Sequence, residues 1–274
     1  MFSNIIMPAP TLSLQANEIH LWRVEPKKIV SSDQTLLAQY QALLTDEEYQ
    51  KQQRYKFAPD RHNALITRAF VRDLLSYYAN IAPEQWRFEK GEKGKPELIN
   101  APIPLKFNLS HTKNMIICTV TLNDDIGCDV ENTTRTNDVL VIADRYFSKK
   151  ETSALFTLPK SEQHSRFFDY WTLKESYIKA CGLGLTIPLK DFSFTINKRL
   201  TESQFFNEKI QLSFAPQRQD IPNLWRSWLF YPSEEHRIAI SIKAKKNNQY
   251  TPYRYRFFNS IPLVSVTEVS IPVP

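Results

Sequence analysis

The chain is poor in glycine, methionine and cysteine. Of 274 residues, five are glycine, three are methionine and three are cysteine. Cys118, Cys128 and Cys181 are odd in number and fit no metal-ligand spacing, which excludes a disulfide scaffold and a cysteine-based metal site. Cys118 and Cys128 fall in apolar, strand-like runs, so buried free thiols and a reducing compartment are expected. No stretch reaches the ~18 apolar residues of a membrane helix. Met1 to Gln15 holds no basic segment followed by a long apolar run. The expectation is a soluble, cytoplasmic protein with no membrane partner.

What is present suits a large core. There are seventeen Phe and twelve Tyr, with 42% hydrophobic and 23% charged residues, an ordinary globular balance. The length suits two halves of ordinary size. The net charge of +6 suits an anionic partner: nucleic acid, a phosphorylated cofactor or an acidic protein.

Alternation predicts strands at Glu18 to Val24, Trp86 to Glu89, Lys106 to Ser110 and Met115 to Leu122. Thr45 and Glu48 form a capping box opening a helix to about Tyr55, and Asp60 to Ala79 reads as a long amphipathic helix. After the turn Asn123-Asp124-Asp125 the order repeats. A strand begins at Ile126, helices follow over Asp138 to Phe147 and from the Ser148/Glu151 capping box, and a long helix runs from Glu162 to Cys181 with Ser161 as cap. Strands follow at Phe192 to Ile196, Ile210 to Ala215, Trp225 to Tyr231 and Ile238 to Lys243, then an extended tail from Tyr250. The element order predicts an α+β pseudo-dimer: two similar α/β halves, 1–125 and 126–274, each with a small antiparallel sheet and a long helix, and a cleft between them.

The chemistry gathers on two segments. In Ile126-Gly127-Cys128-Asp129-Val130-Glu131 the two acids point to one strand face. Two carboxylates ~4 Å apart repel by roughly 4 kcal/mol at an effective dielectric of ~20, and a hard divalent cation removes that cost. In Trp171 to Lys179 (WTLKESYIK), Glu175 and Lys179 share a helical stripe with Trp171, offering a third oxygen ligand or a base, and a charge for a phosphate. The blander readings are a solvated strand face and a surface ion pair worth ~0.3–0.5 kcal/mol.

Five motifs in order, Gly94-Lys95-Pro96, Phe107-Asn108-Leu109-Ser110-His111, Ile126 to Glu131, Tyr146 to Glu151 and Trp171 to Lys179, resemble the 4′-phosphopantetheinyl transferases of the surfactin-synthetase-activating (Sfp) type; Gly184 to Phe192 continues the match. The resemblance runs from about Leu44 to Phe192. It implies that fold, and transfer of the 4′-phosphopantetheine arm of coenzyme A to a serine of an apo acyl or peptidyl carrier protein, leaving 3′,5′-ADP. It further implies Mg²⁺ (or Mn²⁺) on Asp129, Glu131 and Glu175, with Glu175 as base and Lys179 on a phosphate and beside Glu175. By the same resemblance Lys51, Lys90, Lys95, Pro96, Ser110, His111, Lys174 and Lys179 would contact coenzyme A. Glu48 and Asn63 stand where some members carry basic residues, so Arg61, Arg68 or Lys56 could take over the 3′-phosphate.

Two rivals remain at this point. A metal-dependent nuclease would also use an acidic pair with Glu and Lys, but usually two apart on a strand rather than four apart on a helix. A basic binding module would show a basic run and an aromatic platform, and neither is present. The expected protein is a monomeric enzyme with no nucleic-acid partner.

Overall fold

The computed structural model describes residues 12–135, 138–197, 210–245 and 252–270. The expectations placed on residues 1–11 and on the start of the tail at Tyr250 lie outside the described residues. In chain order the first half contributes β1 (Glu18–Val24), α1 (Gln34–Ala42), α2 (Asp46–Gln53), α3 (Ala58–Ser76), β2 (Phe88–Lys90), β3 (Pro96–Leu98), β4 (Leu105–Thr112) and β5 (Met115–Leu122). The second contributes β6 (Asp125–Asn132), α4 (Val139–Tyr146), α5 (Lys149–Phe156), α6 (Lys160–Cys181), β7 (Phe192–Ile196), β8 (Ile210–Phe214), β9 (Trp225–Ser233), β10 (His236–Lys243), β11 (Arg254–Ile261) and β12 (Ser265–Val269).

Strand alternation explains a helix–sheet–sheet–helix stack, because both faces of the main strands are apolar. On β1, Trp22 and Val24 face a core with α3 residues Leu65, Phe70 and Leu74. Ile19 and Leu21 face the other way, into a central core with Ile117, Ile126, Cys128, Val130, Ile238 and Ile240. A third core packs Leu229 and Ala239 against Phe167, Leu173 and Tyr177 of α6. Cys118 and Cys128 are buried free thiols, as expected. The fold is α+β, and among the described residues no helix is long and apolar enough to cross a membrane.

The sheets differ from the expectation in one respect. The five-stranded sheet has the order β12-β11-β1-β5-β4, and β6-β10-β9 form the second. Tail strand β11 lies parallel to β1, pairing Glu18 with Arg254 through Arg23 with Asn259. The sheet is therefore mixed, and the tail completes the sheet of the first half. Without β11, β1 would offer a bare edge.

Helix ends follow local chemistry. Both expected capping boxes are present. Asp33 caps α1 by accepting from Leu36 N at 3.0 Å. The α6 helix starts at Lys160 after Pro159, one residue before the expected cap Ser161, and stops at Gly182 in the left-handed region (φ 69°).

Candidate active site

The site exists because a helix touches a strand backbone to backbone. A Cβ on Gly127 would run into the Ser176 carbonyl oxygen and the Ala180 nitrogen. Only glycine lets α6 lie that close to β6. Across the sheet Gly127 pairs with Ser241, whose hydroxyl is 2.8 Å from those of Ser176 and Ser227. Small residues thus line the crossing. Asp129 and Glu131 continue the Gly127 face and stand beside α6, while Cys128 and Val130 enter the central core.

A second device joins β6 to β4. Asn108 Oδ1 accepts from Cys128 N at 2.8 Å, Ser110 Oγ from Val130 N at 3.3 Å, and Thr112 Oγ1 from Asn132 N at 3.2 Å. Side chains with a period of two replace a main-chain ladder between the sheet edges. This seam delivers Ser110 to Asp129.

The seam carries the charges. Lys179 Nζ stands 2.6 Å from Asp129 Oδ1 and donates to Ser110 Oγ at 2.8 Å; the Ser110 hydroxyl donates to the same Oδ1 at 2.9 Å. Trp171 Nε1 donates to Glu131 Oε1 at 3.1 Å. Arg135 Nη2 lies 3.0 Å from Glu131 Oε2, out of line for a hydrogen bond. Two buried carboxylate oxygens, Asp129 Oδ2 and Glu131 Oε2, have no hydrogen-bond partner among the described residues. Burial, and then Asp129, push the Glu131 carboxyl up to about 7. The same two causes raise Glu175, with Lys179 opposing. Burial is the largest single influence on Lys179 and pulls it down, yet Asp129, Cys128 and Glu175 together hold the amine above its ordinary range. Asp129 thus opposes loss of the proton from both Glu131 and Glu175, and the Lys179 ammonium favours the charged form of each.

Residues 125–241 match the model of the 4′-phosphopantetheinyl transferase superfamily, and residues 30–122 that of the 4′-phosphopantetheinyl transferase N-terminal region. The transferase HetI of Nostoc sp. is 34% identical over 178 residues, covering 64% of this chain and 73% of the relative. Sfp of Bacillus subtilis is 34% identical over 159 residues, covering 58% and 69%. The chain belongs to the 4′-phosphopantetheinyl transferase family. The gsp transferase of Aneurinibacillus migulanus is 32% identical over 165 residues (60% and 66%). A solved holo-[acyl-carrier-protein] synthase of Thermotoga maritima overlaps in part, with 22% identity, a TM-score of 0.34, and 44% and 64% of the two chains covered.

Of the residues expected to serve this transferase, Asp129, Glu131, Ser110 and Lys179 are brought together, with Glu175 half-buried on the same helix. Lys179 bonds to Asp129 rather than bracing Glu175 alone, and Trp171 orients Glu131, not Glu175. The expectation that Lys174 binds coenzyme A is corrected. Its ammonium is wholly buried, 2.8 Å from Glu151 Oε2, and donates to the carbonyls of Leu189 and Phe192, both at 2.7 Å. One residue is ~100° of helix, enough to turn Lys174 away from Glu175 into the core.

Lys95 is half-buried and donates to main-chain carbonyls, of Ile126 at 2.9 Å and Ala180 at 3.5 Å. Pro96 begins β3 and is half-buried. His111 keeps part of its surface in solvent, and the partial desolvation of its ring, then Lys179, hold it below its ordinary range. Lys51 on α2 and Lys90 at the end of β2 are exposed, and among the described residues neither bonds to the acidic cluster. Arg61 donates to the carbonyls of Tyr55 and Lys56, and Arg68 pairs loosely with Glu48 at 3.8 Å, leaving Lys56 over the Phe57 ring. Sequence reasoning missed Asn108, Thr112 and Arg135. The period-two polar pattern Asn108, Ser110, Thr112 is the signal that identifies the first two.

Proposed function

We propose that this transferase moves the 4′-phosphopantetheine arm of coenzyme A onto a carrier-protein serine at the crossing of β6 and α6. Transfer of that arm from coenzyme A to carrier proteins is the family's reaction. In balance, the serine Oγ–P bond forms, the pyrophosphate P–O bond breaks, the hydroxyl proton is lost, and 3′,5′-ADP leaves. The observation that carries the site assignment is the pair of buried oxygens, Asp129 Oδ2 and Glu131 Oε2, that accept no hydrogen bond among the described residues, beside a helix that carries an acidic and a basic residue one turn apart.

Among the described residues no three His, Cys, Asp or Glu side chains are grouped closely enough to form a ready metal cage. The donor set nonetheless fits Mg²⁺ or Mn²⁺, because Mg²⁺ prefers oxygen ligands, takes only a few carboxylates and fills its shell with water and substrate phosphate. Asp129, Glu131 and Glu175 would hold it, and it would neutralise charge on the pyrophosphate. Glu175, raised toward neutrality, would take the serine proton. Lys179 would hand its charge from Asp129 to a phosphate. Ser110 would keep Asp129 in place as Lys179 leaves. His111, exposed beside them, would reach the phosphates, and the exposed Lys51 and Lys90 the rest of the cofactor. We extend the reading to a monomeric cytoplasmic enzyme without a nucleic-acid partner, carrying its coenzyme A contacts in both 1–125 and 126–274.

The test is a panel of apo-carriers incubated with coenzyme A and Mg²⁺ and read by mass. Gain of one phosphopantetheine arm on at least one carrier is expected, together with calorimetric binding of coenzyme A and none of a short DNA duplex. No gain on any carrier overturns the reading.

A further inference from the structure

Lys95 enters β3 from the β2–β3 turn, yet its ammonium ends on the other half of the molecule. It donates to the carbonyl of Ile126, three residues before Asp129, and to that of Ala180, next to Lys179. These are the start of β6 and the last turn of α6, the two elements that carry the acids and the base. The helix end has unsatisfied carbonyls and partial negative charge, which an ammonium complements. The stem packs at the same place: a Cβ on the cap Gly182 would lie 3.7 Å from Lys95 Cδ. Burial holds the amine below its ordinary range, with Asp125 opposing.

We propose that Lys95 is a positioning residue, a clamp that sets the spacing between β6 and α6 and so aligns Asp129 with Glu175 and Lys179. It acts through the backbone of both elements and leaves the cofactor to others. The inference rests on the transferase reading above. Gly127 permits the close approach to Ser176 and Ala180, and Lys95 fastens it there, at the neighbouring Ile126 carbonyl and at that of Ala180.

Two measurements decide it. Amine-directed acylation of the unaltered protein, mapped by mass spectrometry, should modify Lys95 far more slowly than Lys51 and Lys90 without coenzyme A, and adding coenzyme A should change Lys95 little. In steady state, Lys95→Met should lower kcat on the order of 10–100-fold, because sub-ångström misalignment is costly, while KM for coenzyme A stays nearly constant. Lys95→Arg, which keeps donors for both carbonyls, should recover most of kcat. Rapid acylation of Lys95 that coenzyme A suppresses would overturn the clamp, as would a raised KM with unchanged kcat. If Lys95→Met does not melt cooperatively, the acylation pattern and Lys95→Arg decide alone. Failure of the unaltered protein to load any carrier would instead strike the transferase reading, and the acylation pattern would still judge the clamp.

Discussion

One oxygen of Asp129 is held by Lys179 and Ser110, and the other accepts no hydrogen bond among the described residues. Lys179 therefore does in the resting site what a bound cation would do. Replacing it should separate the two duties. Lys179→Met should bind Mg²⁺ alone more tightly than the unaltered protein, by calorimetry, because the competing ammonium is gone, while transfer falls; equal or weaker metal binding would show that Lys179 does not compete. Glu175 offers a similar separation. Glu175→Gln keeps an oxygen ligand but cannot take a proton, so the loss should be on the order of 10²–10⁴-fold and persist at saturating Mg²⁺. The limb of the rate profile rising with pH should also vanish. Full rescue by metal would leave Glu175 a ligand only. The acids and the lysine were legible in the sequence because each lies in a motif with a defined period. What Lys179 and Trp171 bond to was not, since sharing a stripe on one helix says nothing of the strand facing it.

Between elements, the seam from β4 to β6 is the joint on which the site depends. Asn108, Ser110 and Thr112 alternate along one strand and meet three successive inward N–H groups of the other. Asn108→Ala leaves the buried Cys128 N–H without its acceptor, which costs about 1–3 kcal/mol. Chemical denaturation should register that loss, and carrier loading should slow with it because β6 carries Asp129; an unchanged midpoint and rate would mean the seam bears no load. The main strands were readable from alternation, α3 from its apolar stripe, and the short helices α2 and α5 from their capping boxes. The α1 helix was not, because one buried residue, Tyr40, anchors its face and leaves little period to find. Lys174 misled for a related reason: a lysine inside a polar-looking motif reads as exposed, and only the partner Glu151, brought by a different helix, makes it a core residue.

Across the molecule, the tail strand β11 ties back onto β1. The turn after β11 reaches α3 and α1: Asp73 accepts a hydrogen bond from the Leu263 backbone, and Tyr40 donates to the Pro262 carbonyl at 2.9 Å. Burial pushes the Asp73 carboxyl up to about 6 from its ordinary 3.8. A carboxyl raised in the folded state costs nothing below 3.8, and the cost grows as pH rises through that window to a plateau above 6. Between pH 3.5 and 7 the stability of Asp73→Asn relative to the unaltered protein should therefore shift in favour of the variant by about 3 kcal/mol. Parallel pH profiles for the two would remove Asp73 as the cause. Nothing in the tail's composition announced this tie, since a strand that adds to a distant parallel partner leaves no local turn to read. Its consequence falls on synthesis. Bonded residues on β1 and β11 lie 236 positions apart, and at about 5–20 residues per second the ribosome needs roughly 10–50 s to make the difference. For that interval the central strand of the first sheet waits with one side unzipped and open to pairing with a neighbouring nascent chain. β1, made long before its partner β11, is thus among the last elements to close, and a product truncated before residue 252 keeps that adhesive side for its lifetime.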